Sequence, residues 1–146
     1  MIDFNTLYQL TNQTWNPTSN FWCLGLPEST ERQAEFHKEQ NKIPTIWSFP
    51  GIRHKTPWIG CGLSYKYMLR YARDHQWNNI SICEDDVLFF YDIQKKLEDI
   101  HHVLDDKSLN WDIFSGHVTD LNTNTNIQLL YTEQSTTYVQ LNKTTG

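Results

Sequence analysis

Glu84-Asp85-Asp86 is the segment with the clearest chemical potential, lying between the apolar runs Ile80-Ser81-Ile82-Cys83 and Val87-Leu88-Phe89-Phe90. Three consecutive carboxylates repel one another unless a cation or several backbone donors compensate them. A hard divalent cation suits carboxylate oxygens. Alternate side chains of an extended segment point the same way, so Glu84 and Asp86 could face one site, with Asp85 turned away or toward a neighbouring group. Acidic clusters are common on protein surfaces, but the apolar runs on both sides argue against a simple surface loop. Other chemistry-bearing residues are weaker candidates. Asp112 falls at a strand start and reads as structural, whereas His117 and Asp120 follow a strand end and are candidates for a general base. His101 and His102, adjacent on a helix, point in different directions and do not form a ligand pair. Cys23, Cys61 and Cys83 lie far apart, without CxxC spacing, and read as reduced, buried, small hydrophobes.

The elements that must hold the triplet follow from periodicity. Residues 1–19 are polar, rich in Asn and Thr, and predict an N-terminal arm or irregular cover ahead of a domain over 20–146. Phe21-Trp22-Cys23-Leu24-Gly25-Leu26 is nearly continuously apolar, as in a strand buried on both faces. Pro27-Glu28-Ser29-Thr30-Glu31 then starts a helix running to about Asn41. Residues 44–49 predict a second strand, 50–58 a loop and 63–76 a helix, on which Leu63, Tyr67, Tyr71 and His75 recur every fourth residue. Ile80 to Cys83 is a third buried strand, placing the triplet at its carboxyl end, where open α/β sheets collect ligands. An amphipathic helix through Ile93, Leu97, Ile100 and Leu104 follows, then strands at 111–116, 127–131 and 136–141. The alternation predicts an α/β fold with a mostly parallel central sheet flanked by helices.

Composition narrows the function classes. In 146 residues, 17 acidic against 12 basic side chains give a formal charge of -5, which leaves no field to attract nucleic acid. The N-terminus lacks a basic start with an apolar run, and no window approaches the length of a membrane span, so a cytoplasmic location without a transmembrane segment is expected. Aromatic residues make up 14% of the chain, enough either for a ring-built core or for a surface that stacks on sugars. Core packing is the expected use of Trp47, Trp58 and Trp77 alike.

Ile59-Gly60-Cys61-Gly62-Leu63-Ser64, a helix, and Ile80 to Leu88 together resemble, in order and spacing, a block of glycosyltransferase family 25, the lipooligosaccharide and collagen galactosyltransferases. Trp111-Asp112-Ile113-Phe114 and Thr136-Thr137-Tyr138-Val139 are similar to later parts of that family. The resemblance implies a GT-A-like nucleotide-diphospho-sugar-binding fold, incomplete at its C-terminus, and transfer of a hexose such as galactose from a UDP-sugar to an oligosaccharide or glycolipid acceptor, as in lipopolysaccharide biosynthesis. It further implies inversion at the anomeric carbon, Mn²⁺ or Mg²⁺ held by Glu84 and Asp86, donor contacts from Asp85 and Arg32, and peripheral association with the inner membrane. The chain departs from the family at Gly25, where a strand-end Asp is usual, and at Tyr65, where a His is usual. Two alternatives stay open: a degenerate or truncated member that binds nucleotide-sugar without turnover, and a metal-dependent phosphohydrolase-like α/β domain.

Overall fold

A computed structural model describes residues 3–105, 111–116, 125–133 and 136–143. The chain divides into two compact units, Met1–Val103 and Leu104–Gly146. The first contains three parallel strands, β1 (Phe21–Gly25), β2 (Trp47–Pro50) and β3 (Ser81–Glu84), in the order β2-β1-β3. Its helices are α1 (Phe4–Thr11), α2 (Thr30–Gln40) and α3 (Pro57–Asp74), with α4 (Ile93–Leu104) ending at the boundary. The fold is therefore α/β with a small parallel sheet flanked by helices. No helix among the described residues is long and apolar enough to cross a membrane.

The continuous apolar run of β1 reflects two covered faces. Trp22 and Leu24 enter a cluster with Tyr8, Phe49, Tyr67, Met68 and Tyr71, while Cys23 joins Phe36, Ile43 and Ile46 on the other face. Helices α1 and α3 supply the first cluster and α2 the second. The connections leaving β1 toward β2 and arriving at β3 thus carry helices on opposite faces, and the strand order reverses at β1, so the carboxyl ends of β1 and β3 form the switch point at which open α/β sheets have their binding crevice.

Three elements differ from expectation. Residues 1–19 include α1, which Asp3 caps by accepting hydrogen bonds from the amides of Asn5 and Thr6 at 2.9 and 3.2 Å. Its Tyr8 is buried and donates to Asp74 Oδ2 at 2.9 Å. Helix α3 begins at Pro57, earlier than the periodicity shows, because its first turns pack through Gly60 and Ser64 rather than through large apolar residues. A Cβ at Gly60 would stand 2.6 Å from the Ile52 carbonyl oxygen, and Ser64 Oγ bridges Ile52 N and Gly60 O at 2.8 Å each. Residues 111–116 are irregular rather than a strand, with Trp111 Nε1 donating to the Leu104 carbonyl at 2.7 Å. In the second unit β4 (Thr125–Glu133) and β5 (Thr136–Lys143) pair antiparallel as a separate sheet, with an irregularity between Leu129 and Tyr131.

The first cluster is built on rings. Trp22 lies 4.6 Å from Trp47, 5.1 Å from Tyr71, 5.6 Å from Phe49 and 5.7 Å from Trp77, centroid to centroid. Trp47 and Trp77 thus serve packing, whereas Trp58 is exposed on the first turn of α3, contrary to expectation. Burial, followed by the hydrogen bond to Asp74, pushes the Tyr8 phenol up from 10.0 to about 12. Burial also raises Tyr67 and Tyr71. A phenol raised on folding stabilises the fold fully below its unfolded value, and that contribution is lost as pH climbs through the folded value. Stability is accordingly expected to fall between pH 10.0 and about 12, with tyrosinate absorbance rising together with loss of circular dichroism. Independent titration of these tyrosines near the ordinary value in a folded chain would contradict this.

Candidate functional site

The crevice at the carboxyl ends of β1 and β3 gathers the triplet with residues of α2 and α3. In-register pairing of Leu24 with Glu84 puts the Glu84 side chain on the α3 face, where Tyr65 Oη donates to Glu84 Oε1 at 3.0 Å. Burial and then the Glu84 carboxylate raise the Tyr65 phenol far above its ordinary value, so Tyr65 stays a proton donor in this bond. The strand ends there: Asp85 N still donates to the Leu24 carbonyl at 3.1 Å, but Val87 N turns back to the Glu84 carbonyl at 3.2 Å.

Asp85 falls on the α2 face and is 5% exposed. Its Oδ1 accepts an ion pair from Arg32 Nη2 at 2.8 Å and its Oδ2 a hydrogen bond from Gln33 Nε2 at 3.1 Å. The same Arg32 nitrogen reaches Asp86 Oδ2 at 2.9 Å. Both Arg32 and Gln33 come from the N-terminal part of α2, whose helix dipole also favours a nearby carboxylate. Gly25 makes this arrangement sterically available. A Cβ there would stand 2.6 Å from Gln33 Nε2 and 2.8 Å from Asp85 Oδ2, so the missing side chain at the end of β1 is the space that Asp85 and Gln33 use.

Glu84 and Asp86 therefore diverge, because the alternation that would align them stops where the turn begins. No three His, Cys, Asp or Glu side chains among the described residues gather around one point, so a closed all-protein metal cage does not fit. Glu84 and Asp86 are both exposed, however, and hard-oxygen ligands of this kind suit a cation that takes its remaining ligands from a phosphate-bearing substrate and water.

Comparisons with protein-family models, with curated proteins and with solved structures return no match.

The apolar run after the triplet is a surface segment after all, resolved into alternating sides. Val87 and Phe89 pack against the cluster of Cys23 and Phe36, while Leu88 and Phe90 are exposed, as is Tyr91. Phe89 N donates to Glu39 Oε2 at 2.6 Å, and Lys42 Nζ donates to the Phe89 carbonyl at 2.7 Å, tying the segment to the far end of α2. Lys42 and the Phe89 amide hold the Glu39 carboxyl below the usual carboxylate range. Among the cysteines Cys23 is buried, Cys83 half-buried and Cys61 exposed, so only the first is the buried residue expected; all are free. Cys23 and Cys83 are register partners on neighbouring strands, and their mutual hydrogen bond, with burial, pushes the Cys23 thiol strongly up. Asp112 is exposed, while His117 and Asp120 lie outside the described residues. The roles of Gln33 and Gly25 were not legible in the sequence, although the Gly in place of a strand-end Asp marked the position.

Proposed function

We propose that the chain is a glycosyltransferase-type domain of GT-A-like fold that binds a UDP-sugar at the carboxyl ends of β1 and β3 and passes its hexose to a saccharide acceptor. The observation that carries this reading is the acidic turn after β3 at the point where strand order reverses, anchored by Arg32, with Asp85 and Gln33 meeting in the space left by Gly25. The resemblance of residues 59–64 and 80–88, which include that turn, to family 25 supports it.

In this reading Arg32 holds Asp85 and Asp86 in place and offers a guanidinium beside the turn to a diphosphate, a planar donor well matched to phosphate oxygens. Tyr65 orients Glu84 by donating to one oxygen and leaving the other available. A divalent cation bound through Glu84 and Asp86 would supply neutralisation of the charge that grows on the leaving diphosphate. Asp85, enclosed by Arg32 and Gln33, positions the turn. A second reading, binding without turnover, is favoured by the fact that each carboxylate of the turn already has a protein partner.

Calorimetric titration of UDP-galactose, with and without Mn²⁺, tests the proposal on wild type and Asp86→Ala. Binding that strengthens with Mn²⁺ and loses that gain in the variant is expected. Absence of metal-dependent binding in the wild type would sink both readings, and binding without transfer to any saccharide would select the second.

A further inference from the structure

A second polar site adjoins the crevice along the exposed face of α3. Tyr65, which donates to Glu84, also lines an open groove of about 630 Å³ together with Lys66, Leu69, Arg70, Arg73 and Asn5. Three cations at i, i+4 and i+7 occupy one helix face in a chain whose formal charge is -5.

Among the described residues their compensation is thin. Asp74 is shared: its Oδ1 accepts from Arg73 Nε and Nη2 at 3.0 and 2.8 Å, and its Oδ2 accepts from Tyr8 at 2.9 Å. Arg70 Nε is left 3.6 Å from Asp74, beyond hydrogen-bonding distance, and is buried without a hydrogen-bond partner. Its guanidinium lies 4.2 Å over the Tyr8 ring, and Nη1 donates to Asn5 Oδ1 at 2.8 Å. Lys66 sits 4.7 Å over the Phe4 ring. Among the described residues, Asp74 is thus shared by Arg70 and Arg73, and no ion pair reaches Lys66. Leu69, 55% exposed within the groove, offers an apolar patch of the kind that packs on a sugar ring or an alkyl chain.

We propose that this groove is an anion-recognition subsite that holds the acceptor by a phosphate or carboxylate group, so that the acceptor is an acidic saccharide. This rests on the transferase reading for the word acceptor, while the anion site stands on the groove itself. A helical rise of about 1.5 Å per residue puts Arg73 about 12 Å along α3 from Tyr65. That is the length of a short oligosaccharide, anchored by its charge at one end and presented to Glu84 at the other.

The test titrates glucose 6-phosphate, glucuronate and uncharged glucose into wild type and Lys66→Glu/Arg73→Glu, with UDP titrated in the presence of Mn²⁺ into the same preparations. Both substituted residues are exposed, and unchanged thermal melting checks the fold. The expected result is binding of the two acidic sugars but not glucose, weakening with salt and falling at least tenfold in the variant, while UDP affinity changes less than twofold. Acidic sugars bound equally by the variant, or not bound by the wild type, would overturn the proposal. Loss of UDP binding in the variant would also overturn it, by making the groove part of the donor site. Sedimentation of the wild type with phosphatidylglycerol vesicles, without affinity for the sugars, would assign the groove to a lipid surface instead. If the wild type binds the acidic sugars but not UDP, the transferase reading fails and the anion site stands.

Discussion

Arg32→Ala is expected to destabilise the protein more than Asp85→Ala, although the two side chains form one ion pair. Removing Arg32 leaves a carboxylate at 5% exposure with Gln33 as its remaining side-chain partner, whereas removing Asp85 leaves a guanidinium that is 47% exposed and still paired with Asp86. A buried charge stripped of its partner pays its desolvation in full, and a half-exposed one is rehydrated. The expected cost is about 1–3 kcal/mol for Arg32→Ala and about 1 kcal/mol for Asp85→Ala. The double variant should cost less than the sum of the two, since it deletes the orphaned carboxylate as well. Urea denaturation of the three proteins measures this, and an Asp85→Ala loss equal to or above that of Arg32→Ala would show that the pair is not buried as described.

Trp22→Ala is expected to have the largest effect on stability of any single substitution in the sheet. Trp22 is wholly inaccessible and touches rings from β2, from α3 and from the turn after α3, so its removal opens a void bounded by parts that cannot all close in. Large-to-small substitution of a buried aromatic costs about 3–5 kcal/mol, a large part of the roughly 5–15 kcal/mol that holds a domain together. Trp58→Ala is the control. At 74% exposure it should cost no more than about 0.5 kcal/mol. Comparable denaturation midpoints for the two variants would contradict the assignment of Trp22 to the core.

Strands β1 and β3 and helices α2 to α4 were legible because burial leaves a period: a continuous run at Phe21–Leu24, and four-residue spacing from Leu63 to Tyr71. Helix α1 was not, since Tyr8 is its one buried residue and Phe4, Leu7 and Leu10 are interspersed with Asn, Thr and Gln over only eight residues; the Asp3 cap and the spacing of Phe4, Leu7 and Tyr8 were its local signals. The run at Val87–Phe90 looked buried because apolar content was read without its alternation, and Trp111–Phe114 looked like a strand because pairing partners are distant in sequence. Within the site, the carboxylates were visible, and Arg32 through the resemblance, but the contacts among them were not. Arg32, Gln33 and Tyr65 reach the turn from helices on opposite faces, a relation set by the order of strands rather than by any local pattern.

The strand order also bears on how the site comes into being during folding. β1 can pair with β2 through a single helical crossover, but it gains β3 only after two, and contacts between residues distant in sequence form late because chain entropy must first be surrendered. The acidic turn is attached to the strand that docks last. A partly folded chain holding β1, α2 and β2 would carry Arg32 and Gln33 with nothing to grip, and local opening of β3 would dissolve the crevice while most of the ring cluster survived. Ligand binding at the turn would then act as a clasp on β3, slowing amide exchange at Ser81–Glu84 ahead of any other segment.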